Sequence, residues 1–485
     1  MKNRGNKLEF YGGEWMSFIP FIVFIVLIVM TTFVEGSISD GALWIPAFMA
    51  LIVAFFFAKN KKLYSETIIN GMASKEAILP VVCWIFAGVF SRILRESGLA
   101  GGIAGLAGSL GIAGTTFVIV SFIASAVFAT ASGTGFGTIA AGMGVLYPAG
   151  VALGAHPALL AGAIISGGSF GDNLAPVSDT TICSATSQGV DVPGVVRSRL
   201  KYALTSAAIT IIAIIIFGMT YKGTVIGAET IEYNRIALIM LIPVAITIVV
   251  AIKYGDIIIA TTIGSVLAGG TAVLTGLMDF IQIDPGQEVT KQALFRVSGI
   301  GLDRVVDGVI YTGINSMLQV CLLAILLFGS IAVMRVGQGD LKLLDVIGKI
   351  AKGPKGAEFS IAGMIITLSA LMGLNAPAIL AVGASFAKPL SEKHGISPYR
   401  TANLLDGISN TLVYSLPWTP AIIYTIGFTR GGIHPLTALE VTPFVFYAFA
   451  MLAVMLGSIA LGVGRHDNMT EEQIAKMEAK AISSN

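Results

Sequence analysis

Apolar runs of membrane-spanning length recur along the chain, parted by short polar turns. The plainest cover 18–34, 42–58, 203–217, 236–252, 257–277 and 444–463, with a further span at 77–94. Roughly 20 apolar residues in a helix cross the hydrocarbon of a bilayer. The pattern therefore predicts an all-α polytopic membrane protein. Two apolar stretches, 116–151 and 359–391, are interrupted by the tips Ala131-Ser-Gly-Thr-Gly-Phe-Gly137 and Gly373-Leu-Asn-Ala-Pro377. They read as re-entrant hairpins that return to the side they came from.

One segment breaks the apolar pattern in another way. Gly167-Gly-Ser-Phe-Gly-Asp-Asn-Leu-Ala-Pro-Val-Ser-Asp-Thr-Thr181 lies among apolar helices, yet it holds two carboxylates, hydroxyls and Pro176. A charged side chain at the bilayer centre costs roughly 3 kcal/mol on insertion scales and tends to be functional. Irregular backbone at that depth is tolerated only where it lines a cavity or packs inside protein. Together these features predict a broken transmembrane helix that builds a site.

The two halves repeat at an offset of 241 residues: Gly88 matches Gly329, Pro148 Pro389, Pro157 Pro398 and Pro176 Pro417. Glycine and proline fix backbone geometry, so their shared spacing predicts a shared backbone. Lys and Arg concentrate on the cytoplasmic side of membrane proteins. The stretch 100–117 has no charge, whereas 341–358 carries Lys342, Lys349, Lys352 and Lys355. Likewise 147–159 is uncharged and 388–400 basic, while Arg197, Arg199 and Lys201 stand opposite a loop at 432–443 whose one charge is Glu440. Read as loops on opposite sides of the membrane, these segments predict two inverted repeats, each of about five crossings plus one re-entrant hairpin. The repeats would occupy 1–221 and 235–464, with an external linker at 222–234 and a cytoplasmic tail at 465–485. Both termini would be cytoplasmic, in the plasma membrane, and the loop 277–307 external. The first helix is expected to be retained rather than cleaved. Arg92, Arg95 and Glu96 read as a solvated helix end.

Composition narrows the class. Of 485 residues, 55% are hydrophobic and 12% charged, about half the charge of a soluble protein. The net charge of +2 says nothing about partners; the lack of a basic patch with interleaved aromatics speaks against nucleic acid. Cys83, Cys183 and Cys321 lie in apolar surroundings without CxxC spacing and read as small core residues. No metalloprotease, nucleophile-elbow or phosphate-loop motif is present, so no enzyme is expected.

At helix breaks, freed carbonyls favour cations and freed N–H groups favour anions. Sodium, a hard cation, takes oxygen ligands, by analogy with other hard cations. Asp172, Ser178, Asp179, Thr180 and Thr181 supply such oxygens, and Ser132 and Thr134 at the first tip would complete the set. The second half is less acidic: Asn403, Asp406, Asn410, Thr411, Trp418 and Thr419 flank its break, and Asn375 stands opposite Thr134 in the repeat. That asymmetry assigns the substrate or a second ion to the second half. Alternative readings stay open: Asp172 and Asp179 as helix caps, Ser178 and Thr180 bonding their own backbone, Asp406 as a partner of Asn410 or Arg400, Trp418 as packing. His156 and His434 read as interfacial.

At these residues the chain resembles the NhaC family of sodium/proton antiporters. Phe170-Gly-Asp-Asn-Leu-Ala-Pro-Val-Ser-Asp-Thr-Thr181 carries the resemblance, with Leu405-Asp406 and Ser415-Leu-Pro-Trp-Thr419. The resemblance implies sodium-coupled transport with Asp172, Asp179, Ser178 and Thr180 as the ion-handling group. The expected function is a secondary active transporter exchanging Na+ for H+ by alternating access, with no cofactor beyond Na+. The alternative is sodium-coupled transport of a small organic solute, an amino acid or a hydroxycarboxylate. Oligomeric state is open, a homodimer included. A channel is disfavoured, because an inverted repeat with two breaks suits alternating access better than a continuous pore.

Overall fold

The computed structural model describes residues 7–35, 44–176, 178–220, 234–254, 256–283, 291–299, 304–348, 353–430 and 434–471. Helices α1 (Ile19–Glu35) and α2 (Trp44–Phe57) pack together and are followed by α3 (Lys61–Met72). Then come α4 (Lys75–Glu96), α5 (Leu99–Ser109), α6 (Gly114–Ser132), α7 (Gly135–Ala152), α8 (Pro157–Leu174), α9 (Asp179–Gln188) and α10 (Val192–Thr220). Helices α11 (Leu241–Tyr254) and α12 (Ile257–Leu274) lead to strands β1 (Asp279–Ile283), β2 (Ala293–Ser298) and β3 (Val305–Asp307). The remainder is α13 (Val309–Val336), α14 (Gly339–Gly348), α15 (Gly353–Met372), α16 (Asn375–Val382), α17 (Lys388–Lys393), α18 (Pro398–Ser415), α19 (Pro420–Thr429), α20 (Ala438–Val441) and α21 (Phe446–Leu461).

Seven helices among the described residues are long and apolar enough to cross a membrane, or eight if the bent pair 438–444 and 446–461 is one span. The protein is a multi-pass membrane protein. The count falls short of five crossings per half because α2 and the apolar part of α11 are shorter, and because each broken helix divides into two pieces.

The helix ends follow local chemistry. Pro157, Pro398 and Pro420 open α8, α18 and α19 at a position where a missing N–H costs nothing. Thr134 caps α7 by accepting from the Gly137 N–H at 3.1 Å. Gly133 (φ +71°) and Gly373 (φ +63°) close α6 and α15 in the left-handed conformation that side chains disfavour. Both predicted tips are therefore real helix breaks. The limbs α6 and α7 are nonetheless each long enough to cross by length and composition.

The spacing of 241 residues holds for whole elements. Helix α18 begins and ends 241 residues after α8, and α19 does so after α9. Packing is reciprocal as well. Helix α7 contacts α19 while its counterpart α16 contacts α9; α10 contacts α18 while α21 contacts α8. At the centre, Ser169 Oγ donates at 2.9 Å to the carbonyl of Asn410, its own counterpart in the repeat. Helices α6 and α8 approach at backbone distance: a Cβ on Gly171 would collide with Ala129 and the Thr130 backbone, and one on Gly167 with Phe122 and Ser125.

Several expectations need correction. The stretches 100–117 and 341–358, read as loops, contain helix α5 and, in the second half, α14 and the start of α15. Residues 277–307 include a three-stranded sheet in which β1 pairs parallel and β3 antiparallel with β2. Arg199 and Arg400 do not mark a membrane face: both are fully buried, because Asp406 and Glu358 pair with them inside the bundle. Arg95 is not solvated either; its guanidinium donates to the carbonyls of Phe428 and Arg430, tying the end of α4 to that of α19. Most of the linker at 222–234 and of the tail after 465 lies outside the described residues.

Candidate functional site

The first broken helix and both tips meet at one cavity, with Tyr424 of α19 in its wall. It measures about 500 Å³ and is lined by Ser132–Gly137 of the first tip and Leu374–Pro377 of the second. Asp172 and Asp179 from the α8–α9 break and Asp256 before α12 also line it. A transmembrane helix broken by Pro176 thus delivers two carboxylates from opposite half-helices to the same space. Asp172 lies in the last turn of α8 and is 4% exposed. Asp179 is the first residue of α9 and stands exposed toward the cavity.

Asp172 is held from three sides. The Ser178 hydroxyl donates to Oδ1 at 2.7 Å; the Tyr414 hydroxyl and the Asn375 amide donate to Oδ2 at 2.9 and 3.4 Å. Ser178 Oγ is in turn 3.0 Å from Thr180 Oγ1. Three oxygens from Asp172, Ser178 and Thr180 are therefore contiguous at the break. The Ser132 hydroxyl, at the carbonyl end of α6, is buried, lines the cavity and has no hydrogen-bond partner among the described residues. An unpartnered buried hydroxyl costs roughly 1–3 kcal/mol unless something satisfies it.

A second cluster adjoins the first through Asn410. Its amide donates to Asp406 Oδ1 at 2.7 Å and to Asn173 Oδ1 at 3.2 Å, and its oxygen accepts from Asn375. Asp406 Oδ2 accepts from Thr181 at 3.0 Å and from Arg199, an ion pair in which both side chains are fully buried. Arg199 also donates to the Asn173 carbonyl at 2.7 Å and, through Nε, to Asn403 Oδ1 at 3.1 Å. Among the described residues no three His, Cys, Asp or Glu side chains converge to hold a metal ion. A cation here would draw on hydroxyls, carbonyls and carboxylates.

The sequence-derived residues thus divide. Asp172, Asp179, Ser132, Thr134 and Asn375 line the cavity; Ser178 and Thr180 touch it through Asp172. Thr181, Asn403, Asp406 and Asn410 belong to the buried network behind it. Thr411, Trp418 and Thr419 turn to backbone carbonyls of Ile408, Ala370 and Leu416 and are not brought to the cavity. Arg199, Tyr414, Asn173 and Asp256 were not among the predicted site residues. Tyr414 had a readable signal: Asn403, Asp406, Asn410 and Tyr414 recur at helical spacing and share one face of α18. Arg199 had none, since nothing local separates it from Arg197.

Comparison with known proteins places this geometry in context. Residues 12–219 match the model of the Na+/H+ antiporter family. The Na+/H+ antiporter NhaC of Alkalihalophilus pseudofirmus is 22% identical over 448 residues, 88% of this chain and 93% of that protein. A malate-2H+/Na+-lactate antiporter of Bacillus subtilis is 28% identical over 254 residues, spanning 49% of this chain and about half (52%) of that protein. An uncharacterised Na+/H+ antiporter of Haemophilus influenzae is 23% identical, covering 72% of this chain and 75% of its own length.

Proposed function

We propose that the chain, similar to Na+/H+ antiporters of the NhaC type, exchanges Na+ for H+ at the cavity beside its first broken helix. The observation that carries this reading is the convergence of Asp172 and Asp179 on one cavity with Ser178, Thr180 and the unpartnered Ser132. Two carboxylates within one poorly solvated site repel each other and favour uptake of a positive charge. A proton on either carboxylate and a sodium ion between them are alternative ways to supply it. Competition for the same oxygens is the coupling an exchanger needs. In the proposed cycle, Na+ binding displaces protons from Asp172 and Asp179, and the loaded site is then presented to the other side.

The proposal includes an inverted two-fold between the halves, hairpins that re-enter at 133–134 and 373–374, and cytoplasmic termini. The reciprocal packing of α7 on α19 and α16 on α9 supports the two-fold. A second reading has its own support. A cavity of about 500 Å³ falls in the size range of small-molecule sites, roughly 300–1,000 Å³, and is far larger than one ion needs. Sodium-coupled exchange of a small organic acid would use that volume, with Asn375 as a polar contact.

Purified protein in proteoliposomes separates the two. An imposed Na+ gradient should drive proton movement with no organic solute present, and a pH-sensitive dye trapped inside would report it. Proton movement that appears only when a hydroxycarboxylate or amino acid is added would replace Na+/H+ exchange with the second reading.

A further inference from the structure

We propose that Arg199 is a resident cation of this site: it neutralises Asp406 permanently, so that the exchangeable charge rests on Asp172 and Asp179 alone. The inference builds on the transporter reading and adds to it the number of charges the site can trade. Both carboxylate oxygens of Asp406 are already engaged by donors from the protein. Its Oδ1 accepts from Asn410, and its Oδ2 accepts from both Thr181 and Arg199. It does not line the cavity, whereas Asp172 and Asp179 do.

Arg199 also occupies a place built for a cation. It donates to the carbonyl of Asn173 in the last turn of α8, where the negative end of a helix dipole favours positive charge. Nature of the side chain matters here: a guanidinium is always charged, so it cannot leave or be neutralised during a cycle. Asp406 reaches Asp172 by way of Asn410 and Asn375. Without Arg199 this connected network would hold a further uncompensated carboxylate and would demand another positive charge from the cargo. The repeat shows the same division of labour. Val413 and Pro420 stand 241 residues after Asp172 and Asp179, so the second half adds no carboxylate of its own at its break.

The test is charge removal in pairs, in the full-length protein. Arg199→Gln and Asp406→Asn each leave one buried charge unpaired. Each should lower thermal stability and cut exchange at least about tenfold, as for other broken buried pairs. The double variant restores neutrality. It should recover stability and release the same number of protons per sodium bound as wild type, read by calorimetry in buffers of different ionisation enthalpy. A folded double variant that no longer binds sodium would make Asp406 a cargo ligand and overturn the proposal. A double variant no more stable than the worse single variant would overturn it too. Should wild type show no Na+/H+ exchange, the Na+/H+ reading falls, while the melts of wild type, the two single variants and the double variant still report the pairing.

Discussion

At the residue scale, the two acids of the break differ in what they touch. Asp172 is enclosed by Ser178, Tyr414 and Asn375, while Asp179 faces the cavity. On the proposed reading an arriving cation would meet Asp179 first and would rearrange donors to reach Asp172. Asp179→Asn keeps the shape of the side chain and removes its charge. It is expected to abolish sodium-driven transport while the purified protein stays folded and monodisperse; wild-type sodium dependence in that variant would contradict the assignment. The sequence exposed this pair because an acid beside a proline among apolar residues has few structural uses. It did not expose Arg199, whose significance arises from Asp406, 207 residues away.

At the scale of elements, glycine decides how closely α6 and α8 approach. The Gly167–Gly171 face of α8 lies against the backbone of α6, and this contact holds the first tip beside the break. Gly171→Ala would insert a methyl group where Ala129 and Thr130 already sit. Overpacking of this kind typically costs about 1–3 kcal/mol. Thermal unfolding in detergent should show that loss, and the first tip should shift with it; an unchanged midpoint would mean that the helices can part freely. Elements broken by proline and glycine were legible in the sequence because those residues act locally. Helix α5 and the β1–β3 sheet were not. A glycine-rich apolar segment without charge reads equally as loop or helix, and short strands between apolar helices leave little periodicity to detect.

At the scale of the molecule, the two halves share the bounds of their broken helices and reciprocal contacts, yet differ in charge. The sequence revealed the repeat through prolines and glycines, but its reading of orientation leaned partly on Arg199 and Arg400. Those two charges are internal: Arg400 and Arg465 pair with Glu358, and Lys201 pairs with Asp467, tying α10, α15 and α18 to the segment after α21. The lysine excess of 341–358 over the uncharged 100–117 carries the orientation argument instead. If the repeats are inverted, cysteines at Leu110, which follows α5, and at Asp345, in the last turn of α14, label from opposite sides of the membrane. Labelling of both from one side would reject the inversion.

The central claim is that sodium and protons compete for one pair of carboxylates. Sodium titrations by calorimetry between about pH 5.5 and 8.5 test it most directly. Protonated carboxylates bind sodium poorly, so affinity should rise with pH, by up to about tenfold per unit for each proton displaced, with proton release on binding. An affinity flat across that range, with no proton release, would contradict the account.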